Sequence, residues 1–226
     1  MWKMKTKIKT AKNNCNSFYV VFIKRFIDII FGILSLPFLL IISLLVGIAI
    51  KFEDGGPVFY KAKRIGKNSK IFNMYKFRSM IVNAPNWTNS DGSTYNSEND
   101  SRVTKVGKFL RKTSLDEVPQ FFNVLIGNMS FIGPRASGAG ALDNYKPDEV
   151  DKMLVRPGIT GYTQAYFRNS IPVRDKRLLD AWYAHNVSMW LDIKILFKTV
   201  ATVLKHDYLY TNAPVEKEEI SQEITK

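Results

Sequence analysis

The sequence predicts a mostly helical α+β protein, in which a membrane-embedded helical segment precedes a compact domain with a small β-hairpin. Three observations lead to this prediction. An apolar run extends from Phe26 to Ile50, two partly alternating stretches flank a turn at residues 66–69, and most of the later chain has helical spacing. The 226 residues are enough for one domain of ordinary size and an appendage.

The composition limits the classes of partner. Hydrophobic residues make up 46% of the chain, so a packed core can form and global disorder is excluded. The net charge of +13 is typical of proteins that bind nucleic acid, anionic membranes or phosphorylated ligands. The single cysteine, Cys15, excludes an internal disulfide and a cysteine-based metal cluster, and we interpret it as an inert thiol.

The apolar run at residues 26–50 is the strongest single feature. It is too long for a secretory signal, and as a straight helix it exceeds the roughly 30 Å of hydrocarbon in a bilayer. Residues 1–25 form a basic N-terminal segment without acids, and residues 51–80 carry eight basic groups against two acids. Positive charge on both flanks selects no orientation for a spanning helix and suits a hairpin whose ends share the cytoplasmic side.

Pro37 and Ser35 are candidates for bending this run. Pro37 lacks a backbone donor and obstructs the preceding helical turn, while Ser35 can hydrogen-bond a freed backbone group within hydrocarbon. A kinked spanning helix explains the same residues, so physics alone leaves the hairpin and the span about equal. Asp28 is expected to pair with Arg25 near the headgroups.

Residues 51–213 are predicted to form the compact domain. Within it, residues 57–80 are predicted to form two strands around a turn, and residues 82–101 a long polar loop. Residues 180–207 are predicted to be one helix, whose apolar stripe suits either core packing or a membrane interface. Residues 214–226 are expected to form a flexible tail.

Two adjacent carboxylates, Asp116 and Glu117, lie within the otherwise basic stretch RKTSLDEVPQFFNVLIGNMSFIGPR. The simplest interpretation is a capping box, with Ser114 as the N-cap and Glu117 reaching back to it. Pro119 counts against this interpretation, because its missing N–H falls where a regular helix needs a donor. A bent helix start would let both carboxylates approach one cation, and such oxygen ligands suit Mg²⁺ bound together with substrate phosphates.

Arginines flank the acidic pair at Arg111 and Arg135. Their guanidinium groups can bind phosphate oxygens with forked hydrogen bonds, and a metal ion between the carboxylates and a pyrophosphate would neutralise their repulsion. One carboxylate could then attack phosphorus and form an aspartyl-phosphate type of intermediate. Spacing alone makes this one interpretation among several, because an adjacent acidic pair is a weak signal.

The chain resembles the bacterial sugar transferases, the small monotopic phosphoglycosyl transferases that start glycan assembly on polyprenyl phosphate. The matching segments occur in the family's order over roughly residues 22–206, and they are specific only in combination. They are FIKRFIDII, GGPVFYKAKRIGK, YKFRSM, GKFLRKTSLDEVPQFFNVLIGNMSFIGPR, RPGITGYTQ and WYAHNVSMWLDIKILFKT.

The resemblance implies a re-entrant membrane helix–break–helix at residues 26–50, with the break at Ser35 and Pro37. It implies a catalytic domain on the cytoplasmic face of a bacterial inner membrane. It also implies transfer of a phosphosugar from a UDP-sugar to polyprenyl phosphate, with release of UMP and with Mg²⁺ as cofactor, as the first membrane step in assembling a capsule, exopolysaccharide or other glycoconjugate.

The resemblance also assigns roles to single residues. The family's Asp-Glu dyad falls on Asp116 as the nucleophile and Glu117 as a metal ligand, with Asp116 beside the metal. The carboxylate of its WLD element falls on Asp192, which would support the metal site. The implied substrate-binding residues are Arg111, Arg135, Lys76, Arg78, Arg156, Pro157 and Gly158.

The sequence departs from the family's pattern in three places. The family commonly has adjacent Ser-Pro at the helix break, proline after the second arginine, and aspartate in the GDMS element. The corresponding residues here are Leu36 between Ser35 and Pro37, Ala136 after Arg135, and Asn128. The first departure bears on the geometry of the hairpin, the second on the loop after Arg135, and the third is expected to matter little.

Two other functions are weighed against this one. One is a membrane-associated glycosyltransferase that releases UDP, and the other is a non-enzymatic, membrane-anchored basic binding module. The acidic pair and the lack of a nucleic-acid-binding motif count against the module, so no nucleic-acid partner is expected. The expected partners are a UDP-sugar, polyprenyl phosphate and a phospholipid membrane. The sugar, the pathway, the polyprenyl length and the oligomeric state stay open, a homodimer being one option.

Overall fold

The computed structural model describes residues 14–85, 87, 95, 97, 99–168 and 170–205. Most of the basic N-terminal segment, about half of the polar loop predicted at 82–101 and the predicted tail lie outside the described residues. The described part is mostly helical with a small sheet, which confirms the predicted fold class at that level.

One long apolar helix opens the described chain. A short π-helix, Tyr19–Ile23, leads directly into α1, Lys24–Asp54. Gly55 ends α1 in the left-handed region, with a φ of 68°, and its amide donates to the carbonyl oxygen of Lys51. By length and composition this helix could cross a membrane.

Pro37 lies inside α1, and the residues on both sides of it belong to the same helix. The structure therefore has a continuous helix where the resemblance implies a break. Proline in a helix removes one backbone donor, and the hydroxyl of Ser35 donates to the carbonyl oxygen of Gly32 at 2.7 Å. The helix accommodates both residues without leaving the helical conformation.

The N-terminal part of α1 is docked on the folded domain. A guanidinium nitrogen of Arg25 donates to the carbonyl oxygen of Val124 at 2.6 Å. The carboxylate of Asp28 is buried and accepts from the amide of Phe131 at 3.0 Å. Arg25 and Asp28 thus hydrogen-bond the domain rather than forming the predicted ion pair with each other.

The C-terminal part of α1 is docked on the same domain. Val46 and Ile50 pack with Phe77 and Leu110 in a buried cluster, and Asp54 accepts hydrogen bonds from a guanidinium of that domain. Between the two docked ends the helix presents large apolar side chains to its surroundings. These exposed residues are Ile33, Leu34, Phe38, Leu40, Ile41, Leu44 and Leu45.

The predicted β-hairpin is present as β1, Phe59–Ile65, and β2, Ile71–Phe77. The two strands pair antiparallel along their whole length, from Phe59 opposite Phe77 to Ile65 opposite Ile71. Strand β3, Ser130–Ile132, and strand β5, Gly158–Thr160, form a separate parallel pair. The short strand β4, Ser137–Gly138, joins the hairpin beside β1, giving the order β2-β1-β4.

Helices pack against part of the surface of these strands. Near the acidic pair they are α2, Lys105–Lys112, a 3₁₀ turn, Leu115–Glu117, and α3, Gln120–Leu125. Towards the C-terminus they are α4, Tyr162–Tyr166, α5, Val173–Asn186, and α6, Met189–Lys205. The largest buried cluster includes residues of α4, α5 and α6 and the segment that precedes α1.

The single helix predicted at 180–207 is two helices in the structure. The chain leaves α5 at Val187, whose backbone is extended, and Ser188 starts α6 by accepting from the amide of Leu191. The apolar stripe is divided accordingly, because Tyr183 is buried in the core while Trp190 is 68% exposed. Core packing is confirmed for Tyr183 and for Ile195, which is buried in the same cluster, while the membrane interface stays a prediction for the exposed side chains of α6.

Candidate active site

The acidic pair lies on a bent segment rather than on a regular helix. Ser114 adopts a left-handed conformation with a φ of 57°, and its side chain makes no capping hydrogen bond. A single 3₁₀ turn carries Asp116 and Glu117, and α3 begins only after Pro119. The bent start is confirmed, and the capping box is wrong, because its hydroxyl cap is absent and Glu117 binds elsewhere.

Lys76 lies next to both carboxylates. It projects from β2, and its Nζ is 2.7 Å from Oε1 of Glu117 and 3.9 Å from Oδ2 of Asp116. Arg135 approaches from the loop after β3, with Nη2 3.8 Å from the same Oε1 atom of Glu117. The two cations and the acidic pair thus come from three separate parts of the chain: β2, the loop after β3 and the 3₁₀ turn.

The two carboxylates have opposite pKa shifts. Burial would raise the pKa of Glu117, but the charges of Lys76 and Arg135 and the hydrogen bond from Lys76 outweigh it and lower that pKa to about 2. Burial raises the pKa of Asp116, and the anion of Glu117 raises it further, against the opposing charges of Lys76, Arg111 and Arg135. The carboxylate of Asp116 is therefore more basic than that of Glu117.

Arg111 is placed by the last turn of α2. Its Nε donates to the hydroxyl of Ser79 at 3.0 Å, and its charge acts on the carboxylate of Asp116. The side chain of Arg135 is 59% exposed. The structure therefore brings three of the predicted substrate-binding residues close to the acidic pair. They are Lys76, Arg111 and Arg135.

Arg78 is not part of this cluster. Its guanidinium is buried and binds Asp54 through both terminal nitrogens, while its Nε donates to the carbonyl oxygen of Pro57 at 2.7 Å. A further bond goes to the carbonyl oxygen of Met80 at 3.0 Å. With these donors engaged, Arg78 clamps the end of α1 to the domain instead of facing a substrate.

The predicted segment Arg156, Pro157 and Gly158 also serves the fold. Nε of Arg156 donates to the carbonyl oxygen of Gly127 at 2.9 Å, and Pro157 accepts from the amide of Ser130. A Cβ atom on Gly158 would lie 2.1 Å from the backbone nitrogen of Gly133, so only glycine allows β5 to pack there. None of these contacts places the segment beside Asp116 and Glu117.

Both carboxylate oxygens of Asp192 are already bound to side chains of the protein. One oxygen accepts from the hydroxyl of Tyr183 at 2.5 Å, and the other accepts from Tyr19 at 2.7 Å and pairs with Lys24. The prediction that Asp192 supports the metal site therefore does not fit this structure. Its contacts join α6 to the segment around the start of α1.

Among the described residues of this site, the acidic pair supplies the candidate donors for Mg²⁺. No group of three histidine, cysteine or acidic residues suited to a metal ion occurs in the part of the chain that the structure describes. Mg²⁺ usually takes one or two carboxylates and completes its shell with water and substrate phosphates, so Asp116 and Glu117 fit that ion. In this structure the ammonium group of Lys76 offsets the negative charge of the same two carboxylates.

Sequence reasoning missed Arg64, although it lies in one of the matching motifs. Arg64 is on β1, and its charge interacts with Glu117 and with Arg135. The exposed lysines that precede it, Lys61 and Lys63, are typical of a solvated strand. Alternation along β1 was the signal that could have separated Arg64 from them.

The fold and the site define a class of protein with one helix that could cross a membrane and a domain that holds a carboxylate pair among cations. The family model of the bacterial sugar transferases matches residues 19–206. The chain belongs to the bacterial sugar transferase family, which confirms the resemblance.

Three curated relatives have names that specify a reaction. The chain is 40% identical over 189 residues to the UDP-N-acetylgalactosamine-undecaprenyl-phosphate N-acetylgalactosaminephosphotransferase of Aeromonas hydrophila, covering 81% of this chain and 44% of that protein. It is 39% identical over 201 residues to the undecaprenyl-phosphate galactose phosphotransferase of Salmonella typhimurium, covering 84% and 42%.

The third relative is the UDP-glucose:undecaprenyl-phosphate glucose-1-phosphate transferase of Klebsiella pneumoniae. The identity is 42% over 193 residues, covering 82% of this chain and 40% of that protein. The chain spans less than half the length of each of these relatives.

Proposed function

We propose that the chain transfers a phosphosugar from a UDP-sugar to polyprenyl phosphate and releases UMP. The observation that carries this proposal is the carboxylate pair Asp116–Glu117 in contact with Lys76 and Arg135. A carboxylate can approach an anionic phosphate only where cations offset their repulsion. The names of the three relatives support the substrates, since all three specify transfer to undecaprenyl phosphate.

The transfer takes two displacements, in which Asp116 is the nucleophile of the first and the leaving group of the second. Its carboxylate oxygen attacks the β-phosphorus of the UDP-sugar, and the bond from that phosphorus to the bridging oxygen breaks, so that UMP leaves with the electron pair. A phosphate oxygen of polyprenyl phosphate then attacks the same phosphorus, and Asp116 leaves as a carboxylate. The higher basicity of Asp116 supports its choice over Glu117, and the two steps predict ping-pong kinetics.

Glu117 and Asp116 would hold Mg²⁺ together with the substrate phosphates. When bound, the ion would neutralise charge on the phosphoryl oxygens. Arg111 and Arg135 bind non-bridging oxygens through forked hydrogen bonds, and Lys76 keeps Glu117 ionised. These residues position the phosphorus in front of Asp116.

Residues 26–50 are proposed to enter and leave the membrane on one side, the cytoplasmic face of the inner membrane. The contacts at both ends of α1 support this topology, because Arg25 and Asp54 bind the same domain. The amide of Asn14 also donates to the carbonyl oxygen of His185 at 3.1 Å. A helix with both ends tied to one domain would enter the bilayer with its exposed middle and leave residues 51–213 outside.

The test is an assay of the full chain in lipid nanodiscs with polyprenyl phosphate, Mg²⁺ and a panel of UDP-sugars. The released nucleotide is identified by chromatography. We expect UMP with at least one donor. Release of UDP would instead support a glycosyltransferase, and no turnover with any donor would support a membrane-anchored binding module.

A further inference from the structure

Arg64 is held against the strand that follows the Arg135 loop. It lies opposite Gly138 in the pairing of β1 with β4, and a Cβ atom on Gly138 would lie only 3.4 Å from Nη1 of Arg64. Arg135 precedes this strand by two residues and leads directly into it. The strand pairing therefore fixes Arg64 beside Arg135, at the edge of the acidic pair.

The guanidinium of Arg64 has donors without acceptors. Its Nε is buried and has no hydrogen-bond partner. Within the described ranges no hydrogen bond or ion pair joins the side chain of Arg64 to another residue, although Glu117 is near enough to interact with its charge. Burying a charged group without a partner is costly, and Arg64 is half-buried, so its position favours a ligand that supplies acceptors.

Positive charge around the acidic pair exceeds what the pair can balance. Four cations interact with Asp116 or Glu117, namely Arg64, Lys76, Arg111 and Arg135. Burial and the neighbouring charge of Arg135 both lower the pKa of Arg64, which shows that the cations repel one another. A phosphate group would supply both the missing negative charge and oxygen acceptors in the fork geometry of a guanidinium.

We propose that Arg64 is a phosphate-binding residue of this site, with its guanidinium donating to the oxygens of a phosphate that approaches Asp116. The identity of that phosphate rests on the proposed function. The phosphate belongs either to the diphosphate of the nucleotide donor or to the lipid acceptor. Both present anionic phosphate oxygens to Arg64.

The test compares Arg64→Met with Lys63→Met in full chains reconstituted in lipid nanodiscs. Lys63 is the exposed neighbour on β1, so its substitution removes the same charge from the same strand. Binding of inorganic pyrophosphate and of UDP, each with Mg²⁺, is measured by calorimetry, and the thermal midpoint is measured without ligand. We expect Arg64→Met to weaken binding of both probes by at least about tenfold, as for loss of hydrogen bonds to a charged group.

The thermal midpoint separates binding from a structural role. Replacing an unpaired charge that is partly buried with an apolar side chain is often neutral or stabilising, so the midpoint of Arg64→Met should be equal to or above that of the wild type. Arg64→Lys keeps the charge without the fork and should bind the probes with intermediate affinity. Lys63→Met should bind both probes as the wild type does.

Steady-state kinetics separate the two phosphates. If UDP binding is unchanged in Arg64→Met while the KM for polyprenyl phosphate rises about tenfold, Arg64 binds the acceptor. Unchanged binding of both probes together with an unchanged KM for the lipid overturns the proposal. If pyrophosphate binding depends on Arg64 but the wild type releases no UMP from any UDP-sugar, the phosphate site stands and the proposed reaction fails.

Discussion

At the scale of single residues, neighbours give Asp116 and Glu117 different roles. Lys76 is 2.7 Å from Glu117 and 3.9 Å from Asp116, so the closer ion pair holds Glu117 as an anion. Asp116, with a raised pKa, keeps the more nucleophilic oxygens. A pair of equivalent acids would share one environment, whereas the pKa values of these two carboxylates shift in opposite directions.

Asp116→Asn is expected to abolish turnover, by roughly four orders of magnitude or more, because it removes the attacking oxygen and keeps the shape. Mass spectrometry of protein quenched with UDP-sugar and Mg²⁺, without lipid, should show a phosphosugar adduct on the wild type and none on Asp116→Asn. Asp143→Asn, the same change at an exposed position, is the control and should form the adduct. Kinetics of a ternary complex with no trapped adduct would exclude Asp116 as the nucleophile.

Arg111→Lys is expected to reduce kcat/KM by about 30-fold, which corresponds to about 2 kcal/mol for lost hydrogen bonds to a charged group. The substitution keeps the charge and loses the fork that also reaches Ser79. Lys112→Gln, which removes a whole charge from the exposed neighbour, should leave turnover unchanged. Equal loss in the two variants would mean that Arg111 contributes only a surface charge. Steady-state rates at several donor concentrations make the measurement.

Single residues differ in how far the sequence could assign them. The bent backbone at Asp116 and Glu117 was predictable because Pro119 is a local signal, whereas the roles of the two residues came from the family resemblance and stay predictions. Arg78 was assigned to the substrate, but the structure gives it to Asp54, 24 residues away, in a contact that no local pattern encodes. Asp192 likewise binds Tyr19, 173 residues away.

At the scale of elements, the end of α1 is linked to Arg111 through α2. The carboxylate of Glu53 accepts from the amide of Lys105 at 2.6 Å and so caps the N-terminus of α2. Gly107 then packs against the backbone of Ser79, whose hydroxyl binds Arg111 at the other end of the helix. These contacts link the C-terminal end of α1 to the position of Arg111.

Gly107→Ala is expected to lower both stability and turnover. Its Cβ atom would lie 2.0 Å from the carbonyl oxygen of Ser79, so α2 or the Ser79 segment must move and the bond to Arg111 is disturbed. Overpacking costs about 1–3 kcal/mol, more than the gain of about 1 kcal/mol from replacing glycine in a helix. Gly140→Ala, which meets no atom within 4 Å, is the control. Thermal midpoints and initial rates are measured, and a Gly107→Ala midpoint at or above that of the wild type would contradict this packing.

Helices and strands whose apolar residues recur at a regular spacing were predictable from the sequence. The residues at which these elements begin and end were harder to predict. The hairpin β1–β2 follows from partial alternation around a turn, and its register is continuous. The helix predicted at 180–207 was too long, because Val187 is extended and the hydroxyl of Ser188 starts a new helix. Apolar spacing persists across that junction, so periodicity alone could not locate it.

At the scale of the whole molecule, one domain binds both ends of an apolar helix whose middle is exposed. The buried clusters at the C-terminal end of α1 and the hydrogen bonds at its N-terminal end are long-range contacts. The sequence left a hairpin and a span about equal because basic flanks fit both. In the structure both ends of α1 contact the same domain. A helix that crossed the bilayer would place its two ends on opposite sides of the membrane and break one set of these contacts.

The topology can be tested with single cysteines in a Cys15→Ala background. Asn16 precedes the membrane segment, Lys70 follows it, and both are exposed. In intact cells, Asn16→Cys and Lys70→Cys should be equally protected from an impermeant maleimide and equally labelled after permeabilisation. The hydrogen bond from Asn14 to His185 requires this result, since it holds the chain before the helix against the domain after it. Labelling of Asn16→Cys alone in intact cells would establish a span and break that contact, and with it the proposed docking of α1 on one side of the membrane.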